Sequence, residues 1–334
     1  MAQTTLTDSQ ARSSALQYTF HTAKPTSLYG DAWRRLRKNR AALAGAALVG
    51  FFAFVAVFAS VISPHPPQEN YPSNSYRQAA WITVPDDPIH TGKADFPLGT
   101  DSIGRDVLSR VIYGARTSMA VGFIPMFVIV FVGTVIGMVA GYAGGRVDNL
   151  LMRFTDIVYA FPGLLFYIVL ITALRDTWIG ALLNGFVLLF VALALVSWVT
   201  VARLVRGQVL SIKQKEYVEA ARCIGASPLR IMTQHLFPNV LAPIIVAAAF
   251  IVPGSILTEA ILGFLGIGVR PSTDPLAPFP TSWGMLLLDG RAAMTVQPAL
   301  LIIPAICVAL IMLAFTFIGD GLRDALDPLM KKAG

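Results

Sequence analysis

Apolar runs long enough to cross a lipid bilayer recur along this chain, and they restrict its fold more than any other feature. A spanning helix needs about 20 apolar residues, because each residue adds about 1.5 Å against a hydrocarbon core of about 30 Å. The runs cover residues 41–62, 117–143, 156–174, 179–202, 242–264 and 298–318. Backbone polar groups inside a bilayer must bond within their own segment, so the runs predict helices. We expect an all-α membrane protein with six transmembrane helices.

The composition agrees with a membrane protein. Hydrophobic residues make up 55% of the 334 residues and charged residues only 13%, against about 25% charged residues in an ordinary soluble domain. The formal net charge of +7 would suit a nucleic-acid partner, but Lys and Arg that flank membrane helices on the cytoplasmic side explain such an excess. We therefore expect the lipid bilayer as a partner, and no nucleic acid.

The basic residues also predict the topology. A cluster that includes Arg34, Arg35 and Lys38 precedes the first run, which places the N-terminus in the cytoplasm, and six crossings return the C-terminus there. The predicted segments are a cytoplasmic tail with an interfacial helix or a solvated stretch (1–40), a first transmembrane helix (41–62), an extracytoplasmic region with an amphipathic helix (63–116), a five-helix core (117–320) that contains a cytoplasmic loop (211–238) and an outer loop (266–297), and a cytoplasmic tail (321–334).

Two local patterns refine the helices. Asp101 or Ser102 is placed to cap the amphipathic helix of the extracytoplasmic region, because short polar side chains accept hydrogen bonds from the first backbone N–H groups of a helix. Pro162, within the third run, removes one such donor and is expected to kink that helix.

Three glycines at a spacing of four residues lie in the second run. Gly133, Gly137 and Gly141 fall on one face of a helix. Small residues let two helix backbones approach closely in lipid, where no hydrophobic effect drives helices together. The three glycines therefore predict a helix-packing face.

The cytoplasmic loop at 211–238 is patterned as two short helices around a turn. Gly225 stands where a helix usually ends in the left-handed conformation, Ser227 is placed as an N-cap, and Pro228 as a first helical residue. The first helix would carry Glu216, Tyr217, Glu219, Ala220, Ala221 and Arg222. We interpret the loop as a docking surface, with a plain structural connector as the alternative. A DNA-binding helix–turn–helix does not fit, because no third helix is present to build a core.

The loop resembles a known motif. Glu219-Ala220-Ala221, followed by Gly225 and by His235-Leu236-Phe237-Pro238, is similar to the "EAA" coupling loop of permease subunits of bacterial ATP-binding-cassette (ABC) importers. That pattern usually has an aliphatic residue in place of His235 and a leucine in place of Phe237. Residues 96–116, and residues 263–271 followed by Ser282-Trp283-Gly284, resemble the dipeptide, oligopeptide and nickel permeases.

The resemblance implies a type I ABC-importer-like permease in a bacterial or archaeal plasma membrane. Its implied partners are a paralogous permease in a heterodimer, two cytoplasmic ATPases docked on the coupling loops, and an extracytoplasmic substrate-binding protein. ATP and Mg would reside on the ATPases, and this chain would bind no cofactor or metal. Short peptides are the implied substrates, with nickel chelates and other peptide-like solutes as alternatives.

Glu259 is an acidic residue within the fifth run. An ionisable group in a membrane helix is costly, so Glu259 is either an intramembrane polar site or a hydrogen-bonded structural residue. A transporter driven by an ion gradient would carry more such acids and an inverted repeat. An intramembrane protease would need facing catalytic residues in the spans. Neither pattern is present, and the chain has no glycine-rich phosphate loop, so we expect a non-catalytic translocation subunit.

Overall fold

The computed structural model describes residues 28–274 and 277–326, predominantly as helices apart from a mainly non-helical segment at 63–106. The parts of the predicted cytoplasmic tails at 1–27 and 327–334 lie outside the described residues. The helices are α1 (Leu28–Leu36), α2 (Arg40–Val57), α3 (Ala59–Ile62), α4 (Val107–Ala143), α5 (Gly145–Ala160), α6 (Gly163–Leu174), α7 (Trp178–Ala181), α8 (Phe186–Ile212), α9 (Glu216–Cys223), α10 (Pro228–Ile231), α11 (Phe237–Phe264), α12 (Trp283–Ala292) and α13 (Ala299–Leu326). Short 3₁₀ turns occur at Pro72–Asn74 and Leu182–Gly185.

The described helices provide five spans, and a sixth if a bent pair counts as one. Five are α2, α4, α7 with α8, α10 with α11, and α13. The pair α5 and α6 meets at 79°, and the break falls at Phe161 and Pro162, where Phe161 adopts an extended conformation. This confirms the kink predicted at Pro162, whose missing N–H cannot continue the helical ladder.

The start of the second transmembrane helix was predicted wrongly. The expected amphipathic helix and the membrane span are one continuous helix of 37 residues, α4, and its N-cap is Asp106 rather than Asp101 or Ser102. The Asp106 carboxylate accepts a hydrogen bond from the Ser109 N–H at 2.9 Å. The Asp101 carboxylate instead accepts hydrogen bonds from the backbone N–H groups of Ile103 and Arg105, in the turn before α4, and from the Arg110 guanidinium.

The fourth span begins with α7 at Trp178, close to the predicted start at 179, but α8 continues beyond the predicted end at 202 to Ile212. Its basic inner end is held by acidic partners on α5. Arg206 binds the Asp148 carboxylate through two hydrogen bonds of 2.6 and 2.7 Å, and Arg203 reaches Asp156 at 2.6 Å. These ion pairs stabilise the part of α8 that continues beyond the uncharged run predicted at 179–202.

Both described chain ends lie at the same end of the bundle as the cytoplasmic loop. Leu36 of α1 and Ala42 of α2 pack against Gly321 near the end of α13. Arg323 of α13 lines the same cavity as Asn239, which follows the cytoplasmic loop at the start of α11. This arrangement agrees with the predicted even number of crossings.

The glycine face of α4 lies directly on α8. A Cβ atom added to Gly133 would lie 2.7 Å from the carbonyl oxygen of Trp198, and one added to Gly137 would lie 2.5 Å from that of Ala202. Gly141 continues the same contact toward the inner end. The two helices thus approach at a distance that side chains larger than hydrogen do not permit.

We expect Gly137→Ala to destabilise the bundle by about 1–3 kcal/mol, because the added methyl group must push α8 away. The measurement is the thermal unfolding midpoint of the detergent-purified protein, followed by size-exclusion chromatography. Gly50→Ala is the matched control, since a Cβ at Gly50 meets no atom within 4 Å. Equal midpoints for the two variants would contradict the packing interpretation.

Candidate coupling loop and transmembrane cavity

The turn of the cytoplasmic loop has the conformation that its sequence predicts. Gly225 has a φ of 82°, and the N–H groups of Gly225 and Ala226 donate to the carbonyls of Arg222 and Ala221, each at 3.0 Å. This pair of bonds is a Schellman motif, which closes the C-terminal end of α9. Ser227 then caps α10 by accepting a hydrogen bond from the Arg230 N–H.

Apolar side chains seat the loop on the inner ends of the membrane helices. Val218 and Ala221 of α9 are buried, as are Ile231 and Leu236 after the turn. All four belong to one apolar cluster with residues of α4, α8 and α11, including Val209. The loop is therefore a fixed part of the bundle and moves with it.

Aromatic contacts secure the two sides of the loop. The Arg222 guanidinium lies over the ring of Tyr142 on α4, 5.5 Å from its centroid, and the Tyr217 ring contacts His235 at 6.2 Å. Within the described residues, Glu219 forms no ion pair with Arg222 or another base. The carboxylate of Glu219 is exposed and available to a partner.

The outer face of the loop presents apolar side chains that the sequence analysis missed. Ile224 is 86% exposed and Leu229 is 67% exposed, on either side of Gly225. The predicted residues Glu216, Tyr217, Ala220 and Pro228 are also exposed, whereas Ala221 is buried. The sequence did contain a sign of this surface, because Ile224 and Leu229 are aliphatic residues close to a glycine in an otherwise polar segment, a pattern typical of a contact surface.

A π-helical turn connects the loop to the membrane without a break. Residues Met232–Leu236 form this turn between α10 and α11, so that Pro228–Phe264 is continuous enough to count as one span. Such turns are uncommon and occur often at functional sites. A displacement of α10 is therefore transmitted directly to α11.

A cavity of about 760 Å³ lies beside α11, near the break between α5 and α6. Its polar groups are hydroxyls, and no charged side chain contributes to the wall within the described residues. Tyr167 and Ser197 form a hydrogen bond of 3.2 Å in the wall. The hydroxyl-bearing residues are Tyr159, Tyr167, Ser197, Thr200, Ser255 and Thr258.

A second cavity of about 630 Å³ continues toward the inner end. It shares three wall residues with the first cavity, Leu204, Ala247 and Phe250, and reaches Asn239 and Arg323 near the coupling loop. The two cavities are therefore adjacent along α8 and α11, and together they are the candidate transport path.

Glu259 lies apart from this path. Its side chain is fully buried, Ser118 of α4 donates to its carboxylate at 3.4 Å, and Gly284 of α12 packs so closely that an added Cβ would lie 2.8 Å from the carboxylate. It is absent from the lining of the 760 Å³ cavity, although Ser255 and Thr258 of the same helix are present. Glu259 of α11 thus contacts both α4 and α12, away from the cavity.

Comparisons with known proteins agree with this architecture. Residues 133–332 match the family described as "Binding-protein-dependent transport system inner membrane component", and residues 27–80 match the "N-terminal TM domain of oligopeptide transport permease C". A solved structure of the MetNI methionine ABC transporter in inward-facing conformations is similar with a TM-score of 0.52 and 18% identity, over 66% of this chain and 97% of that chain. That similarity confirms the type I importer fold.

Curated relatives cover most of the chain. The oligopeptide transport system permease protein OppC of Haemophilus influenzae is 41% identical, over 90% of this chain and 89% of the relative. The dipeptide transport system permease protein DppC of Bacillus subtilis is 39% identical, over 90% and 86%. The glutathione transport system permease protein GsiD of Escherichia coli is 37% identical, over 90% of each.

The chain therefore belongs to the family of binding-protein-dependent transport system inner membrane components. It is a multi-pass permease of the plasma membrane with the fold of type I ABC importers, as its sequence predicted. Members of this family are translocation subunits and not enzymes.

We expect Gly225→Val to loosen the coupling loop without unfolding the bundle. A β-branched residue at φ 82° is strained by about 1–2 kcal/mol, while no atom lies within 4 Å of the added Cβ to cause a clash. The measurement is the rate of tryptic cleavage after Arg222 and Arg230 in detergent. Gly225→Asn is the control, because asparagine tolerates the left-handed region, and cleavage of both variants at the native rate would show that the turn is not constrained.

Proposed function

We propose that this chain is a translocation subunit of an ATP-driven importer of short peptides, moved by two cytoplasmic ATPases, one of which docks on its coupling loop and the other on the loop of a second permease. The observation that carries the proposal is the exposed pair Ile224 and Leu229, held on a rigidly seated two-helix projection. Apolar side chains exposed at the tip of a fixed projection are suited to fill a pocket on a partner. ATP and Mg would be bound by the ATPases.

The cavity supports peptides as substrates. Its volume of about 760 Å³ lies within the range of about 300–1,000 Å³ typical of small-molecule sites. Hydroxyl groups can bond peptide N–H and C=O groups, and a wall without fixed charge does not discriminate among acidic, basic and neutral side chains. The names of the relatives OppC and DppC point to the same substrates. Nickel chelates and other peptide-like solutes are the alternative cargo.

A paralogous permease is the proposed second wall of the path. Tyr159 and Phe161 line the cavity and are nevertheless 60% and 57% exposed within this chain. A second permease packed at this side would cover both aromatic rings and enclose the path. A substrate-binding protein would deliver the peptide at the opposite end from the coupling loops.

The proposed mechanism is alternating access driven by the partners. ATP binding closes the ATPase pair and moves the two coupling loops together. The loop of this chain is continuous with α11 through Met232–Leu236, so the motion would reach the cavity wall at Ser255 and Thr258. The path then opens outward, and hydrolysis restores the inward state.

An importer driven by an ion gradient is less well supported. The intramembrane acid considered for ion coupling, Glu259, is buried against Gly284 and does not line the cavity. An ion-coupling carboxylate would have to face the path in one of the two states.

Ile224→Asp combined with Leu229→Asp should remove from the purified complex the ATPase that docks on this chain. Both apolar side chains would be buried by the docked ATPase. Replacing them with charges is expected to weaken docking by more than about tenfold, because hot-spot residues contribute about 2 kcal/mol or more each. The measurement is quantitative mass spectrometry of what purifies with the tagged chain in mild detergent. Gln214→Asp, in the same loop, adds charge without removing an apolar side chain and serves as the control. Full ATPase recovery with the double variant would refute docking at this face.

Thr200→Trp should block transport while leaving the complex assembled. The indole would occupy the cavity between α8 and α11, where Thr200 contributes to the wall. The measurement is uptake of a labelled dipeptide, and of labelled nickel with histidine, by cells that lack their other peptide and nickel importers. Val169→Trp on α6 is the control, because Val169 is exposed and lies outside the cavity lining. Unchanged uptake with Thr200→Trp would exclude this cavity from the path.

A further inference from the structure

A small basic pocket lies at the end of the bundle opposite the coupling loop. It encloses about 180 Å³ between the start of α4, the end of α6, the turn after α11, and α12. Three arginines line it, Arg105, Arg175 and Arg270, against one acidic residue, Asp289. Gly263 at the end of α11 and Gly266 and Gly268 of the turn that follows also line it.

The pocket is held in shape by the arginines themselves. Arg175 donates to the Gly266 carbonyl at 3.1 Å, and Arg270 donates to the Arg175 carbonyl, so the end of α6 is tied to the turn after α11. Arg105 contacts the Asp289 carboxylate at 3.3 Å, and Asp289 is held more tightly by the buried Arg110 at 2.7 Å.

The arginines retain unused hydrogen-bond donors. A guanidinium carries five N–H donors in a planar fork. In the described residues, Arg175 bonds through Nη1 alone and Arg270 through Nη2 alone. The acidic partner of Arg270 is Asp176, whose side chain is 93% exposed and is therefore a weak competitor for the guanidinium. The pocket presents two partly buried forks that an anion can reach.

The size and position of the pocket define what it can bind. Arginine forks match the geometry of a carboxylate, which they bind through paired hydrogen bonds. A volume of about 180 Å³ is below the range of about 300–1,000 Å³ for whole small-molecule ligands, but it accommodates one side chain. The pocket shares no lining residue with the 760 Å³ cavity, so it is separate from the proposed transport path.

We propose that this pocket receives one acidic side chain of the extracytoplasmic substrate-binding protein, whose carboxylate binds Arg175 and Arg270. The inference rests on the proposed function, because it requires that such a protein docks at this end. The carboxylate replaces Asp176 at Arg270 and lies against the turn that ends α11. Docking of the substrate-binding protein therefore contacts the outer end of α11, the helix whose inner end continues into the coupling loop.

The test uses the complete importer reconstituted in lipid nanodiscs and its purified substrate-binding protein. The dissociation constant is measured by biolayer interferometry at fixed ionic strength. Arg175→Gln and Arg270→Gln should each weaken binding about tenfold or more, because charge-assisted contacts in a shielded pocket are lost. Asp176→Asn should strengthen binding severalfold, since it removes the competing carboxylate from Arg270. A purely structural role for Arg270 would not produce this opposite effect.

Arg291→Gln is the matched control. Arg291 lies on α12 near Asp289, contacts the ring of Phe264 and does not line the pocket, so its loss removes the same charge from the same end. Binding should change less than about twofold. Neutralising each Asp and Glu of the binding protein in turn should then identify one residue whose effect disappears in the Arg270→Gln background.

The outcomes separate this inference from the proposed function. If the native importer binds the protein and Arg175→Gln and Arg270→Gln behave like Arg291→Gln, the pocket is not the docking point and only this inference fails. Failure also follows if sodium acetate weakens binding no more than sodium chloride of equal ionic strength. If the native importer binds no substrate-binding protein at all, both this inference and that part of the proposed function are wrong.

Discussion

The close contact between α4 and α8 is the interaction on which the rest of this structure depends. In lipid, apolar side chains gain nothing by leaving solvent for a neighbouring helix, so the contact relies on backbone proximity and polar bonds. Gly133 and Gly137 provide the proximity, and the paired bonds of Arg206 to Asp148 fix the inner end. The inner ends of α4 and α8 together form the apolar surface against which the coupling loop packs.

The helix α11, which leaves the coupling loop, carries features that allow a helix to bend. It joins the coupling loop through a π-helical turn, and its interior prolines, Pro243 and Pro253, each remove a backbone hydrogen bond. Gly254 follows, with no neighbouring atom within 4 Å of an added Cβ. A helix with missing backbone hydrogen bonds and free space at its middle can bend at low cost, and Gly254 lies at the cavity wall.

Much of this fold could be predicted from local sequence signals. Apolar length, the proline at 162 and the pairing of Gly225 with Ser227 each reflect backbone chemistry that acts within a few residues. The N-cap of α4 was not predictable in this way, because Asp101 and Asp106 have the same capping chemistry. Arg110, nine positions after Asp101, decides between them by claiming the Asp101 carboxylate. The arginine pocket was missed for a related reason, since its arginines come from three distant segments of the chain.

The neutral cavity and the charged ends together indicate where selectivity arises. A wall of hydroxyl and apolar groups can hold many peptides but offers no fixed charge that distinguishes one from another. The fixed charges and exposed apolar anchors lie instead at the two ends, in the arginine pocket and beside Gly225. Because α11 runs between these ends, its position depends on what is docked at both. On this reasoning, the conformation of the permease depends on its partners, and substrate selectivity resides mainly in the binding protein that docks outside.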